Sequence, residues 1–263
     1  MNFRVEDQFT DGINPIWEVA EVGNGKVTSA PGALWLTTNP AQNLYSNAQI
    51  ADYTYAAYNF RWSPPVRMTV TARCEGQASA LKGTAGFGFW NHPFSPDSRR
   101  LPRLPQAIWF FFSAPPSNMA LAQGVPGFGW KAATIDATGG RAKALAPFSL
   151  PAMLLMRRPS LYAKIWPQIQ HALKIEEKLL DLSLLETRHT YTIDWRADGA
   201  TFAIDGATVF ESTVAPRGKC GFVAWIDNQY AVVTPQGEIK FGIIALERVQ
   251  SLILENVLIE SLE

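Results

Sequence analysis

The stretch that decides the fold is His189-Thr190-Tyr191-Thr192-Ile193-Asp194-Trp195-Arg196, in which polar and apolar residues alternate. Alternation with a period of two predicts a strand with one buried face. Two further short runs follow at 200–204 and 208–212, after the dipeptides Asp198-Gly199 and Asp205-Gly206. Such dipeptides favour tight hairpin turns. The segment 191–210 is therefore predicted to be a meander of three antiparallel strands.

The same alternation recurs along most of the 263-residue chain, interrupted by Gly, Pro and Asn. It predicts strands at 34–38, 66–73, 85–90, 107–113, 220–227 and 252–260. Ten or more short strands joined by turns are typical of an all-β sandwich or jelly roll. A chain of this length can form one such domain. We expect a single two-sheet antiparallel jelly-roll sandwich over residues 1–263.

One segment, at about 149–181, lacks the alternation. Its apolar residues are spaced by three and four, as Leu161 and Ile165 show, which predicts a helical insertion in the β domain. Ser160 is a candidate N-cap, and Pro167 should kink or split the helix.

Two long connections are also predicted, a proline- and arginine-rich loop at 93–105 and a glycine-containing loop at 124–140. Long loops in a compact domain often form functional rims or lids, so both are candidate borders of a site.

Composition argues against several classes of function. The chain has 23 Lys and Arg against 23 Asp and Glu, so no net charge would recruit a nucleic acid. No apolar run approaches the roughly 20 residues of a spanning helix. The first seven residues carry charges where a secretion signal would be apolar. We therefore expect a cytoplasmic protein in which Cys74 and Cys220 are reduced and buried.

Signatures of metal or cofactor binding are weak. The three histidines lack metal-ligand spacing, and Glu6, Asp7 and Asp11 are a minor candidate calcium set near a turn. The chain has no Gly-x-Ser-x-Gly elbow, phosphate loop or Cys-x-x-Cys pair. No cofactor and no metal are predicted.

Three parts of the sequence carry a family resemblance. The opening contains Glu6-Asp7-x-Phe9-x-Asp11-Gly12, Trp17 and Gly32-Ala33-Leu34-x-Leu36. The late run 189–195 is followed by Phe202-Ala203-Ile204-Asp205-Gly206, and the chain closes with Leu254-Glu255-Asn256-Val257-Leu258-Ile259-Glu260. Together they resemble the concanavalin A-like lectins and glucanases. The resemblance covers most of the chain outside the helical insertion. It implies a jelly roll whose final strand returns beside the first.

Within that superfamily the nearest enzymes are the family-16 glycoside hydrolases, which include the laminarinases. Their site is a Glu-x-Asp-x-x-Glu strand on the concave sheet, and a retaining mechanism needs its two carboxyls roughly 5–5.5 Å apart. The preceding strand resembles 83–90 here, which places the catalytic strand at 106–112. Ala107, Trp109 and Phe112 would then replace the three carboxylates. Because none of them can attack a sugar or transfer a proton, family-16 hydrolysis is not expected.

Alternation predicts what the concave face presents instead. The predicted ligand-binding residues are Trp90, His92, Trp109, Trp225, Asp227 and Gln229. Aromatic rings suit the C–H faces of sugars, while amide and carboxylate groups can bond hydroxyls, although Trp on a sheet is also common in ordinary cores. The leading hypothesis is a non-hydrolytic protein that binds a carbohydrate, a glycosylated compound or an apolar small molecule.

Two alternatives remain open. The cleft could hold a rebuilt enzyme site with His92 and Asp227 as acid and base. The helical insertion could instead dock on a partner or membrane, since apolar residues at 153–156 precede Arg157 and Arg158. Lys and Glu are nearly balanced over 164–181, so attraction to anionic lipid is not expected.

Overall fold

The computed structural model describes residues 3–93 and 103–262. The strands run in this order: β1 (Arg4–Asp7), β2 (Glu18–Val22), β3 (Gly25–Ala30), β4 (Ala33–Thr38), β5 (Asn47–Ala51), β6 (Val66–Cys74), β7 (Thr84–Trp90), β8 (Gln106–Ser113), β9 (Gly129–Asp136), β10 (Ile175–Leu179), β11 (His189–Arg196), β12 (Gly199–Ile204), β13 (Ala207–Ser212), β14 (Gly221–Asp227), β15 (Gln229–Val233), β16 (Ile239–Ile243) and β17 (Gln250–Ser261). The α-helices are α1 (Gly140–Leu145), α2 (Ser149–Met156) and α3 (Pro159–Leu173).

Two antiparallel sheets form a sandwich, as predicted. One sheet has the strand order β13-β12-β11-β6-β17-β4-β3, with β1 also paired to β17, and the other has the order β10-β9-β8-β7-β14-β5-β2. Strands β15 and β16 form a separate hairpin. The meander β11–β13 is confirmed, with Tyr191 opposite Ile204. The last strand returns beside the first, where Arg4 lies opposite Glu260.

Aromatic side chains fill the space between the sheets. Alternate residues of β7 and β8 point inward, among them the fully buried Phe87, Phe89 and Phe110. Ring centroids of Phe110 and Tyr191 lie 5.0 Å apart, and those of Phe89 and Trp195 lie 5.3 Å apart, so the rings join the two sheets. The opposite face of β7 and β8 is therefore turned away from the core. We call this side of the seven-stranded sheet its outer face.

The predicted connection at 124–140 is wrong in part, because it contains strand β9. Side chains on both faces of β9 are buried, including Trp130, Lys131 and Ala132. A strand covered on both faces shows no polar and apolar alternation, which is why its sequence resembled a loop. The other predicted loop, at 93–105, lies mostly outside the described residues.

The helical insertion has different bounds from those predicted at 149–181. Helices occupy most of 140–173, and the glutamates that follow belong to strand β10. Helix α3 continues through Pro167 instead of splitting there, and its N-cap is Arg158 rather than Ser160. Trp166 anchors the helix, because its indole N–H donates to the carbonyl oxygen of Leu121 at 3.1 Å. Among the described residues, no helix combines the length and apolarity needed to cross a bilayer.

Candidate functional site

Four aromatic rings meet on the outer face of the seven-stranded sheet. Trp109 is at the centre, with its ring centroid 5.9 Å from that of Trp90 and 5.5 Å from that of Trp225. Phe111 stacks on Trp109 at 5.5 Å and lies 5.9 Å from Trp225. Trp90, Trp109, Phe111 and Trp225 are the ring cluster. The structure thus brings together the three tryptophans that the sequence placed on this face.

Two glycines of β7 make room for these rings. In the sheet register Gly88 lies opposite Trp109, and Gly86 lies opposite Trp225. A Cβ at Gly86 would come within 3.0 Å of the Trp225 indole, and one at Gly88 would come within 2.5 Å of the Trp109 Cα. Glycine in a strand interior permits this close approach. The rings therefore lie directly over the backbone of β7.

Hydrogen bonds fix the orientation of two of the indoles. The Trp225 N–H donates to the Thr84 hydroxyl at 2.9 Å, and the Trp90 N–H donates to the Tyr53 hydroxyl at 2.6 Å. Trp225 is nearly buried, whereas Trp90, Trp109 and Phe111 are each partly exposed. The cluster therefore offers three accessible rings, of which Trp109 and Phe111 contact the fixed ring of Trp225.

Asp227 supports this arrangement from below. One carboxylate oxygen accepts hydrogen bonds from the Thr84 hydroxyl at 2.8 Å, the Thr84 N–H at 3.2 Å and the Gln229 N–H at 3.1 Å. The other accepts from the Tyr45 hydroxyl at 3.3 Å. Burial raises the pKa of Asp227 to about 6. Because Thr84 in turn holds the Trp225 indole, Asp227 positions a ring rather than facing a ligand.

His92 lies at the opposite end of β7. It is buried, its ring centroid lies 4.5 Å from that of Trp90, and its Nδ1 is 3.1 Å from the Tyr53 hydroxyl. Asp227 pairs with Thr84, and the strand from Thr84 to Trp90 spans roughly 20 Å. Glycosidase carboxyls act within about 10 Å of each other. The structure therefore does not bring His92 and Asp227 together as an acid and base pair.

The remaining predicted residue, Gln229, is on a different element. It begins β15 and lies opposite Ile243 in the hairpin, outside the seven-stranded sheet. Its backbone N–H donates to the Asp227 carboxylate at 3.1 Å. The expectation that Gln229 shares the sheet face with Trp225 is therefore wrong, because strand β14 ends at Asp227.

The strand that would carry the hydrolase motif is regular. Ala107, Trp109 and Phe111 share the outer face, while Phe112 is buried on the core side. Phe112 therefore does not occupy the cleft position that the motif alignment gave it. Phe111 takes that place on the outer face. Sequence reasoning missed Phe111, although two-residue alternation from Trp109 would have indicated it.

A buried ion pair lies next to the ring cluster. Lys131 is opposite Phe111 in the sheet, and its Nζ is 3.3 Å from a carboxylate oxygen of Glu177. Both side chains are almost fully buried, and burial raises the pKa of Glu177. No sequence pattern indicated this pair, because it joins strands β9 and β10, neither of which was predicted.

Metal ligands are not assembled in the part of the chain described by the structure, where no group of three His, Cys, Asp or Glu side chains could hold an ion. Two residues of the minor calcium set have protein partners. Glu6 pairs with Arg4 at 2.7 Å, and Asp7 accepts from the Trp17 indole N–H at 2.7 Å.

Solved structures with the same fold cover almost the whole chain. The immunostimulatory antigen and pseudo-β-1,3-glucanase of Mycobacterium tuberculosis superposes with a TM-score of 0.56 at 11% identity, covering 98% of each chain. The endo-β-1,3-glucanase of Pyrococcus furiosus gives 0.53 at 12% identity, covering 98% of this chain and 93% of that one. The carbohydrate recognition domain of Emp47p gives 0.52 at 11% identity, covering 98% and 94%.

The chain has the concanavalin A-like jelly-roll fold. No protein-family model and no curated protein matches the sequence. At these identities the likeness shows the fold alone, and fold does not determine activity. The structural neighbours include both glucanases and a carbohydrate recognition domain. What this chain does must therefore be argued from its own outer face.

Proposed function

We propose that the protein binds a carbohydrate on the ring cluster and does not hydrolyse it. The observation that carries the proposal is the row Ala107, Trp109 and Phe111, which presents a methyl group and two rings where a hydrolytic relative would present carboxylates. Partly exposed rings suit the apolar faces of sugar units. A chain of β-1,3-linked glucose is the first ligand to test, because two of the structural neighbours are a β-1,3-glucanase and a pseudo-β-1,3-glucanase.

The surroundings of the cluster favour binding over catalysis. Asp227 is buried, accepts hydrogen bonds from several donors and holds the Trp225 indole in place through Thr84, while Glu177 forms an ion pair with Lys131. A retaining glycosidase needs two carboxyls facing each other at roughly 5–5.5 Å, and an inverting one needs about 6.5–9.5 Å. The ring cluster is made of side chains that can neither donate nor accept the required proton.

Titration calorimetry with laminarin oligosaccharides tests the binding. Trp109→Ala should weaken affinity about five- to thirtyfold, because loss of a stacked ring costs roughly 1–2 kcal/mol. Phe148→Ala is the matched control, since Phe148 is an exposed ring at the N-cap of α2, outside the ring cluster, and its loss should leave affinity unchanged. Equal affinities of the wild type and Trp109→Ala would refute the proposed site.

A parallel assay for new reducing ends tests the non-hydrolytic part. Wild-type protein incubated with laminarin should release none above the level of buffer alone. Steady release that disappears in Trp109→Ala would show that the cluster belongs to an enzyme. If no glucan, other glycan or apolar probe binds the wild type, the ring cluster is part of the packing and the proposal fails.

A further inference from the structure

The helical segment concentrates positive charge in a chain that is neutral as a whole. From residue 137 to residue 175 there is no Asp or Glu, and the cationic side chains are Arg141, Lys143, Arg157, Arg158, Lys164 and Lys174. Lys174 lies 3.6 Å from Asp136, at the base of the segment. The rest of the protein therefore carries the balancing negative charge, and the helices form a basic region on it.

The structure changes the charge balance expected from the sequence. Glu176 and Glu177 are in strand β10, not in the helices. Glu176 accepts hydrogen bonds from Ser212 and Thr213 at 2.8 Å, and Glu177 pairs with Lys131. These carboxylates are engaged within the sandwich, so the objection to attraction by anionic lipid does not apply to α1–α3.

Helix α2 and its N-cap residue Phe148 expose large apolar side chains beside this charge. Phe148, Leu150, Leu154 and Leu155 are 64%, 69%, 60% and 49% exposed, and together we call them the apolar ridge. An α-helix that is apolar on all sides is normally buried. Soluble monomers seldom leave large apolar patches uncovered. The exposed Arg157 and Arg158 follow the ridge directly.

We propose that the apolar ridge docks on the surface of a bilayer that contains anionic lipid. Leucine and phenylalanine would enter the boundary between headgroups and acyl chains, while Arg157 and Arg158 would meet the lipid phosphates. The positive charge of the helical segment is complementary to anionic lipid, which favours a bilayer as the occupant. A second copy of the chain would bring two basic segments together, which like charges oppose.

Sedimentation with vesicles tests the docking. Vesicles of phosphatidylcholine with about 30% phosphatidylserine should bind the wild type, and vesicles of phosphatidylcholine alone should bind it much less. Arg157→Gln with Arg158→Gln should weaken binding about 25-fold, from about fivefold per charge. Leu150→Ser with Leu154→Ser should weaken it at least about tenfold. Raising salt from about 0.1 M to about 0.5 M should also weaken it.

Matched controls change similar residues elsewhere. Arg196→Gln with Arg248→Gln removes two exposed arginines outside the helices, and Val249→Ser removes an exposed apolar side chain. Both should bind like the wild type, and thermal melts should show that every variant is folded. The leucines in question are exposed, so their replacement should leave the fold intact.

Three results would overturn the proposal. The first is that the wild type fails to sediment with anionic vesicles, and the second is that the ridge and arginine variants bind as well as the controls. The third is a dimer in analytical ultracentrifugation that Leu150→Ser with Leu154→Ser dissociates, which would make a second copy the occupant. None of these results depends on whether the ring cluster binds a glycan.

Discussion

Replacing Asp227 with Asn should remove the part of the pH dependence of stability that this buried carboxyl contributes. Burial raises the pKa of Asp227 from 3.8 to about 6 in the folded protein, so the folded state holds a proton that the unfolded state releases. The contribution of this proton uptake to the free energy of unfolding is fully present below about pH 4 and is lost as pH rises through about 6. A shift of about two units corresponds to about 3 kcal/mol.

The asparagine variant keeps the geometry. Its carbonyl oxygen can accept from Thr84 and Gln229, and its amide can donate to the Tyr45 hydroxyl, which now lies 3.3 Å away. Relative to the wild type, Asp227→Asn should therefore be about equally stable at pH 4 and more stable by up to about 3 kcal/mol at pH 7. Urea unfolding followed by circular dichroism at pH 4, 5, 6 and 7 measures the difference.

Asp181→Asn is a control of opposite sign. Hydrogen bonds from Ser183 lower the pKa of this exposed carboxyl, so its contribution is present at neutral pH and is lost as pH falls. The variant should lose stability relative to the wild type as pH rises. If the difference between Asp227→Asn and the wild type stays constant from pH 4 to pH 7, the reasoning about the buried carboxyl is wrong.

Three further outcomes follow from other contacts. Gly88→Ala should lower the free energy of unfolding in a urea titration by about 3 kcal/mol, because the new Cβ would collide with strand β8. Gly139 has open space around it, so Gly139→Ala should be nearly neutral in the same titration. Lys131→Met should cost about 3 kcal/mol at pH 7 by leaving Glu177 buried without its partner, and an unchanged unfolding midpoint would contradict this. Burial raises the pKa of Cys74 to about 11, so Ellman's reagent should label neither thiol before unfolding, and rapid labelling of native protein would argue against the packing.

Much of the fold could be predicted because most strands have one covered and one open face. In β6, Val66, Met68 and Val70 are buried while Arg67 and Thr69 are not, and this contrast is visible in the sequence as alternation. The same logic placed Trp90, Trp109 and Trp225 on one face.

Other parts depend on packing that the sequence does not display. Strand β9 is covered on both sides, so it shows no alternation, and missing it hid both β10 and the Lys131–Glu177 pair. Asp227 is a polar residue at a strand end, and only the structure shows that Thr84 connects it to an indole.

The hydrogen bonds of Trp90 and Trp225 limit how selectively the outer face can act. Each indole N–H is already committed to a neighbouring hydroxyl, so neither remains available to distinguish an equatorial from an axial substituent. Phenyl groups have no such donor at all. Discrimination between stereoisomers would then have to come from the indole N–H of the central Trp109 and from the outline of the bound molecule, so epimers that differ away from Trp109 should compete for the same place.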